Sequence, residues 1–306
     1  MRLCLVLCGF CALIALSGAR LSAQTVTVDY LEGRASQKTT ADWAELSVGD
    51  TIPVDGSVKL EKHSLVQFKA GATAITLSRP GTYAIRRLLD TRASLRAAGA
   101  PQALAVAFSR IVRGSPERLD EAGGIRAEKM PVPEGLGIGV EAPTPTGMVD
   151  LPYLELGKRQ IASGEYKEAI VSLLEAVHEI GPGDTREARF YLATAYSLNG
   201  DALQALGALS GFAPEGTEDW ATDFILLRAK LLEDTFAFTE ATDLLLKQGG
   251  NLAANEQRAP MYFFLLALAY RGNGDTARQN LCLDKVVSLA GETDLGVTAA
   301  RLRGLP

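Results

Sequence analysis

From residue 26 to about residue 85, apolar side chains recur at every second position in short bursts. Val26, Val28 and Tyr30 alternate with polar residues, and so do Val58 and Leu60. Leu46 to Val48, Ile52 to Val54, Leu65 to Phe68, Ile75 with Leu77, and Tyr83 with Ile85 complete the series. A two-residue period is that of a strand with one face buried. Gly49-Asp50, Asp55-Gly56, Gly71 and Pro80-Gly81 punctuate the bursts with turn chemistry, and Asp55-Gly56 reads as a tight hairpin-type turn. Short strands at regular turn spacing predict a small all-β unit, a sandwich or a barrel.

The period lengthens between residues 86 and 112. Leu88, Leu89, Leu95, Leu104, Val106, Phe108 and Ile111 suit two short helices broken at Gly99-Ala100-Pro101, expected to pack on the β unit as an appendage. Residues 114–147 are rich in Gly and Pro and read as a linker, with one strand at residues 125–127 able to complete the first domain. The domains expected are therefore a targeting segment at 1–23, a β domain with a helical appendage at 24–127, a Gly/Pro linker at 128–149 and a helical repeat domain at 150–306.

Self-similarity dominates the second half of the chain. Leu156-Gly157, Gly164-Glu165-Tyr166, Ala169, Leu173 and Ala176 form one unit. Leu192-Ala193, Tyr196, Gly200-Asp201, Ala205 and Leu209 repeat it, and Leu266-Ala267, Tyr270, Gly274-Asp275, Leu283 and Val286 repeat it again. Between them lies a degenerate unit with Ala229, Leu232, Phe238 and Ala241, whose turn glycine is replaced by Phe236. Small residues allow two helices to cross closely, and a turn glycine permits a left-handed cap. Residues 293–302 can form a last helix that covers the open end of the stack.

Two resemblances follow from these residues. Leu46 to Ile52, Ser64 to Phe68, Gly71 with Ile75 to Leu77, and Pro80 to Tyr83 resemble the FecR-like extracytoplasmic β domain over about residues 26–85. The signalling members of that family also carry a cytoplasmic anti-sigma segment and a transmembrane helix. Neither is read in this chain, so a signalling role is not expected. The repeat units resemble tetratricopeptide (TPR) repeats over about half of the chain. Together the resemblances imply a multidomain β + α protein: a small all-β domain, then an α-α superhelix of helical hairpins.

Composition and charge narrow the setting. Arg2, the apolar run Leu3 to Leu16, and the small residues Ser17 to Ala19 and Ser22-Ala23 have the layout of a secretory signal peptide, cleaved after Ala23. A periplasmic or secreted protein is expected, with no membrane span once the signal is removed. The whole chain carries a formal charge of −5. Loss of Arg2 and Arg20 makes the remainder more acidic, which removes the electrostatic case for nucleic acid or anionic lipid. Cleavage would also remove Cys4, Cys8 and Cys11, leaving Cys282 as a small buried apolar residue with no disulfide partner.

Catalytic patterns are not found. His63 and His178 fall in different domains, and Gly135, Gly137 and Gly139 lack the dinucleotide spacing and context. No enzyme activity, cofactor or metal is expected. Stacked helical pairs offer an extended concave surface lined by the first helix of each unit. The resemblance places Lys158, Ile161, Thr194, Ser197, Lys230, Glu233, Phe264, Leu268 and Arg271 on that surface as partner-binding positions. The expected function is a non-catalytic scaffold or adaptor for a protein or peptide of the cell envelope. The alternative is cell-wall or glycan binding by the β domain, with Trp43, Tyr83 and Tyr30 as stacking aromatics.

Overall fold

The structure is a computed structural model that describes residues 25–113 and 152–305, apart from 41, 72, 181–183 and 217. The expected targeting segment, the strand at 125–127 and the linker at 128–149 lie outside the described residues.

Two four-stranded antiparallel sheets form the N-terminal unit. One contains β4 (Thr51–Pro53), β1 (Thr25–Glu32), β6 (Leu65–Ala70) and β7 (Thr73–Leu77) in that order. The other contains β3 (Trp43–Glu45), β2 (Ala35–Lys38), β5 (Ser57–Leu60) and β8 (Gly81–Ala84). The alternating residues meet between the sheets: Val26, Val28, Ile52, Val66, Phe68, Ile75 and Leu77 from the first, and Ala35, Val58 and Leu60 from the second. Strands β2 and β3 escape a reading by periodicity because they are short and largely polar. Leu46 is buried but lies in a loop, so the segment 46–48 anchors the core without pairing. The Asp55-Gly56 turn is not a hairpin. Its flanking strands β4 and β5 belong to different sheets, so the turn carries the chain across the sandwich.

Two helices follow directly, α1 (Ile85–Ala98) and α2 (Ala100–Arg113), separated by Gly99 in the left-handed conformation. The break comes where Gly99-Ala100-Pro101 predicts it, with Pro101 in the first turn of α2, where its missing N–H costs nothing.

The C-terminal part is helical. Its helices are α3 (Tyr153–Ser163), α4 (Tyr166–Ile180), α5 (Arg186–Asn199), α6 (Ala202–Ala208), α7 (Ala221–Asp234) and α8 (Phe238–Gln248). The short α9 (Gly250–Ala253) precedes α10 (Ala259–Asn273), α11 (Thr276–Ala290) and α12 (Asp294–Arg303). They pack as sequential pairs, α3 with α4, α5 with α6, α7 with α8 and α10 with α11, and α12 lies on α11. The first helices of the pairs are neighbours too: α3 touches α5, α5 touches α7, and α7 touches α10. At the α3–α4 crossing Gly157 is required by space, since a Cβ there would lie 2.5 Å from Cγ of Leu173. Ala169, Ala193, Ala229 and Ala267 are completely buried at the positions where small residues are expected.

Each pair is joined by the same turn. Gly164, Gly200 and Gly274 have φ of 82°, 93° and 81°. In each, the glycine N–H donates to the carbonyl three residues back, and the next N–H donates to the carbonyl five residues back, as from Gly164 to Ile161 and from Glu165 to Gln160. The third pair keeps this bonding without the glycine. The N–H of Phe236 donates to the Glu233 carbonyl, that of Ala237 donates to the Leu232 carbonyl, and Phe236 itself sits at φ 60°. This left-handed geometry costs a non-glycine residue about 1–2 kcal/mol. The ring of Phe236 is buried in the core of the β sandwich, 5.7 Å from that of Phe238 and nearly perpendicular to it. The substitution that makes the third unit look degenerate is the one that plugs the helical part into the sandwich.

The helices α1 and α2 were expected as an appendage of the β domain, and their packing differs from that. Ile85 and Leu88 at the start of α1 belong to the sandwich core, whereas Ala100, Ala103, Leu104 and Phe108 of α2 belong to the large helical core. The spacing of those α2 residues makes one apolar face on a helix. That face is seated on the helical part from end to end. The Ala98 carbonyl beside α2's start accepts from Arg301 of α12, and Ser109 near its other end lies 3.4 Å from the Tyr166 hydroxyl. Helix α2 also contacts α3 and α12.

Candidate functional site

The positions expected to form an open partner-binding surface are largely buried. Ile161 and Phe264 are completely buried in apolar cores, and Thr194 and Leu268 are buried as well. Thr194 donates its hydroxyl to the Phe190 carbonyl at 2.9 Å, which ties it to its own helix. Lys158 is occupied within the helical part: its Nζ lies 2.8 Å from Glu155 and 2.7 Å from Glu187, and 4.8 Å from the Tyr191 ring centre. The expectation of a free surface fails for a physical reason. A face carrying Phe264 and Leu268 gains by excluding water, and the amphipathic α2 sits earlier in the same chain.

The remaining expected positions, Ser197, Lys230, Glu233 and Arg271, are brought together with Leu268 around a single cleft of about 850 Å³. Its walls come from three parts of the molecule. The sandwich supplies Thr76 and Tyr83, α1 and α2 supply Arg92, Leu95 and Leu104, and the helical part supplies Ser197 of α5, Lys230 and Glu233 of α7 and Leu268 and Arg271 of α10. A cleft of this size is within the range that takes small molecules.

A polar cluster forms one side of the cleft. Lys230 Nζ lies 2.6 Å from Oδ2 of Asp234, one helical turn on. The Arg92 guanidinium bonds Oδ1 of Asp234 at 3.2 Å through Nη1 and the Asp234 carbonyl through Nη2, and it lies 5.2 Å over the Phe236 ring. Burial works against the Asp234 charge, but Lys230 and Arg92 outweigh it and hold this carboxyl below its ordinary range. Glu233 has the opposite balance. Burial, with the Asp234 charge beside it, pushes its carboxyl well above the ordinary range despite Lys230. Its Oε1, the Ser197 hydroxyl and Arg92 Nε are all buried without a hydrogen-bond partner. Arg271, across the cleft on α10, donates from Nη2 to the Ser94 hydroxyl of α1 at 3.0 Å.

Other candidate groups lie apart from this cleft. Cys282 is buried, and burial raises its thiol to about 11, so it is not a thiolate at neutral pH. His63 occupies a β turn at φ 59° and His178 the last turn of α4. Trp43 is on β3 and Tyr30 on β1, in different sheets, and the Tyr83 hydroxyl donates to the Arg79 carbonyl at 2.8 Å. The three aromatics do not form one stacking platform. Among the described residues no helix is long and apolar enough to cross a membrane, and no group of three His, Cys, Asp or Glu side chains is placed to hold a metal ion.

Comparison of the chain with protein families, with characterised proteins and with solved structures finds no match. The functional reading therefore rests on this geometry alone.

Arg92 and Asp234, which organise the site, were not singled out in the sequence, and Phe236 stood out there only as a departure from the repeat. Phe236 left a visible signal, a bulky residue at a turn position that the other units reserve for glycine. Arg92 left none, because its partner Asp234 lies far along the chain.

Proposed function

We propose that the chain is an exported, non-catalytic scaffold of the cell envelope: a FecR-like β domain clamped onto a TPR-like superhelix, which binds a protein partner. The observation that carries the reading is the seating of α2. Helix α2 lays its apolar face in the helical core and touches α3 at one side and α12 at the other, the way a helical groove takes a segment of another protein. In this chain the segment is supplied in cis, and it fixes the sandwich to the helical part. A partner then meets the outer surface, where Val171 and Leu174 of α4 and Leu281 and Leu289 of α11 are exposed. Exposed apolar side chains spaced one or two turns apart on a helix suit contact with another protein better than contact with water.

Photocrosslinking in intact cells tests this reading. A photoreactive residue at Leu174 or Leu281 is expected to trap a discrete envelope protein. Leu174→Asp or Leu281→Asp, placed on surface helices, is expected to abolish recovery of that protein without unfolding the chain. Crosslinks that are absent, or that persist with both substitutions, would contradict the scaffold.

A further inference from the structure

The cleft has a property that a purely structural joint would lack. Protein interiors pair their buried polar groups, because an unpaired one costs about 1–3 kcal/mol. Here Ser197 is 5% exposed and Glu233 is 9% exposed, and each carries a buried oxygen with no partner. Both line the same cleft, together with Arg92, whose Nε is likewise buried and unpartnered. A cavity left over from imperfect packing between two apolar surfaces would be lined by apolar atoms.

The charge of the lining gives the chemical class. Arg92, Lys230 and Arg271 face the cleft, and Arg87 and Arg96 of α1 stand at its walls. The opposing carboxyls are those of Asp201, Asp234 and Glu233. Asp234 is already neutralised by Lys230 and Arg92. Arg271 spends one donor on Ser94. A guanidinium has further donors in a fixed fork that matches an oxyanion. The cationic excess favours an anion, and the unpartnered Ser197 hydroxyl and Glu233 Oε1 favour a ligand with additional hydrogen-bonding groups.

We propose that this cleft is a binding site for a small organic anion, whose oxyanion group is taken by Arg271 and whose polar groups pair with Ser197 and Glu233. The anion's charged group is a carboxylate or a phosphoryl group; both present the same fork of oxygens to the guanidinium. The ligand bridges α1, α5, α7 and α10, and so fastens the sandwich to the first helices. This inference does not rest on the scaffold reading, since the partner and the anion occupy different surfaces and either can fail alone.

Calorimetric titration of the purified protein with citrate and, separately, with inorganic pyrophosphate tests the site. Saturable binding of one or both is expected, and the stronger of the two identifies the oxyanion. Arg271→Ala and Ser197→Ala are each expected to weaken it by about tenfold or more. Arg271→Lys is expected to fall between, because it keeps the charge and loses the fork. Glu233→Ala is also expected to weaken binding, since it removes the buried Oε1 that pairs with the ligand. Arg159→Ala, on the exposed side of α3, is expected to change nothing. If Arg271→Ala does not fold, Ser197→Ala decides alone. The absence of saturable binding by both probes, or binding that Ser197→Ala leaves intact, would overturn the proposal.

Discussion

The turn after α7 and the three turns after α3, α5 and α10 have the same hydrogen bonds and do different work. Gly164, Gly200 and Gly274 adopt the left-handed conformation without strain and have open space where a side chain would be. Phe236 adopts it with strain and fills the sandwich core. A repeat can therefore depart from its pattern at one place because a second domain is attached there. The strain of about 1–2 kcal/mol is outweighed by burial of an aromatic side chain worth about 1.5–3 kcal/mol, together with the neighbouring contacts to Phe238 and Arg92.

The largest effect is expected from the buried face of α2. Phe108→Ala removes a fully buried ring from the helical core and is expected to cost about 3–5 kcal/mol in denaturant unfolding. Phe236→Gly sharpens the contrast. It relieves the left-handed strain but empties the sandwich socket, for a net loss of about 2 kcal/mol. A stabilised Phe236→Gly protein would show that the socket contact is worth less than the strain. Gly200→Ala acts in the opposite sense, imposing strain where nothing is gained, and is expected to cost about 1 kcal/mol. A Gly200→Ala protein as stable as the unaltered one would show that this turn carries no backbone strain.

The smallest effect is a pH dependence. Glu233 has a folded-state value raised by burial, so its protonated form favours folding. That contribution is full below the unfolded value of about 4.5 and is lost as pH rises toward the raised folded value. Asp234 works in reverse: its value is lowered by Lys230 and Arg92 against burial, so its contribution is present above about 3.8 and lost as pH falls through the lowered value. Glu233→Gln is therefore expected to flatten stability on the alkaline side, measured as unfolding midpoint against pH, and to leave the acid limb unchanged. An unchanged alkaline slope would mean that Glu233 is solvated.

Much of this architecture was legible in the chain. The alternating residues of β1, β5, β6 and β7 declared themselves by period, and Gly164, Gly200 and Gly274 by their place ahead of each second helix. Local pattern also marked α1 and α2, including the break at Gly99. What it could not show was where their apolar faces would go. Leu104 and Phe108 announce an amphipathic helix, but the surface that receives them is assembled from residues far along the chain. For the same reason Phe264 and Leu268 looked like a patch awaiting a partner. The polar cluster was half legible: Lys230, Glu233, Ser197 and Arg271 were marked as inward-facing, while Arg92, which converts them into one wall, comes from the other domain.

Helices α1 and α2 join the two parts of the molecule, α1 from the sandwich core and α2 from the helical core. Hydrogen–deuterium exchange of the purified protein tests it most directly. Amides in the interior of α2 are expected to exchange as slowly as those of α10, and Phe236→Gly is expected to speed exchange first in α1 and around the sandwich contact. Exchange of the α2 amides at the rate of an unpacked helix, with α10 still protected, would contradict the account.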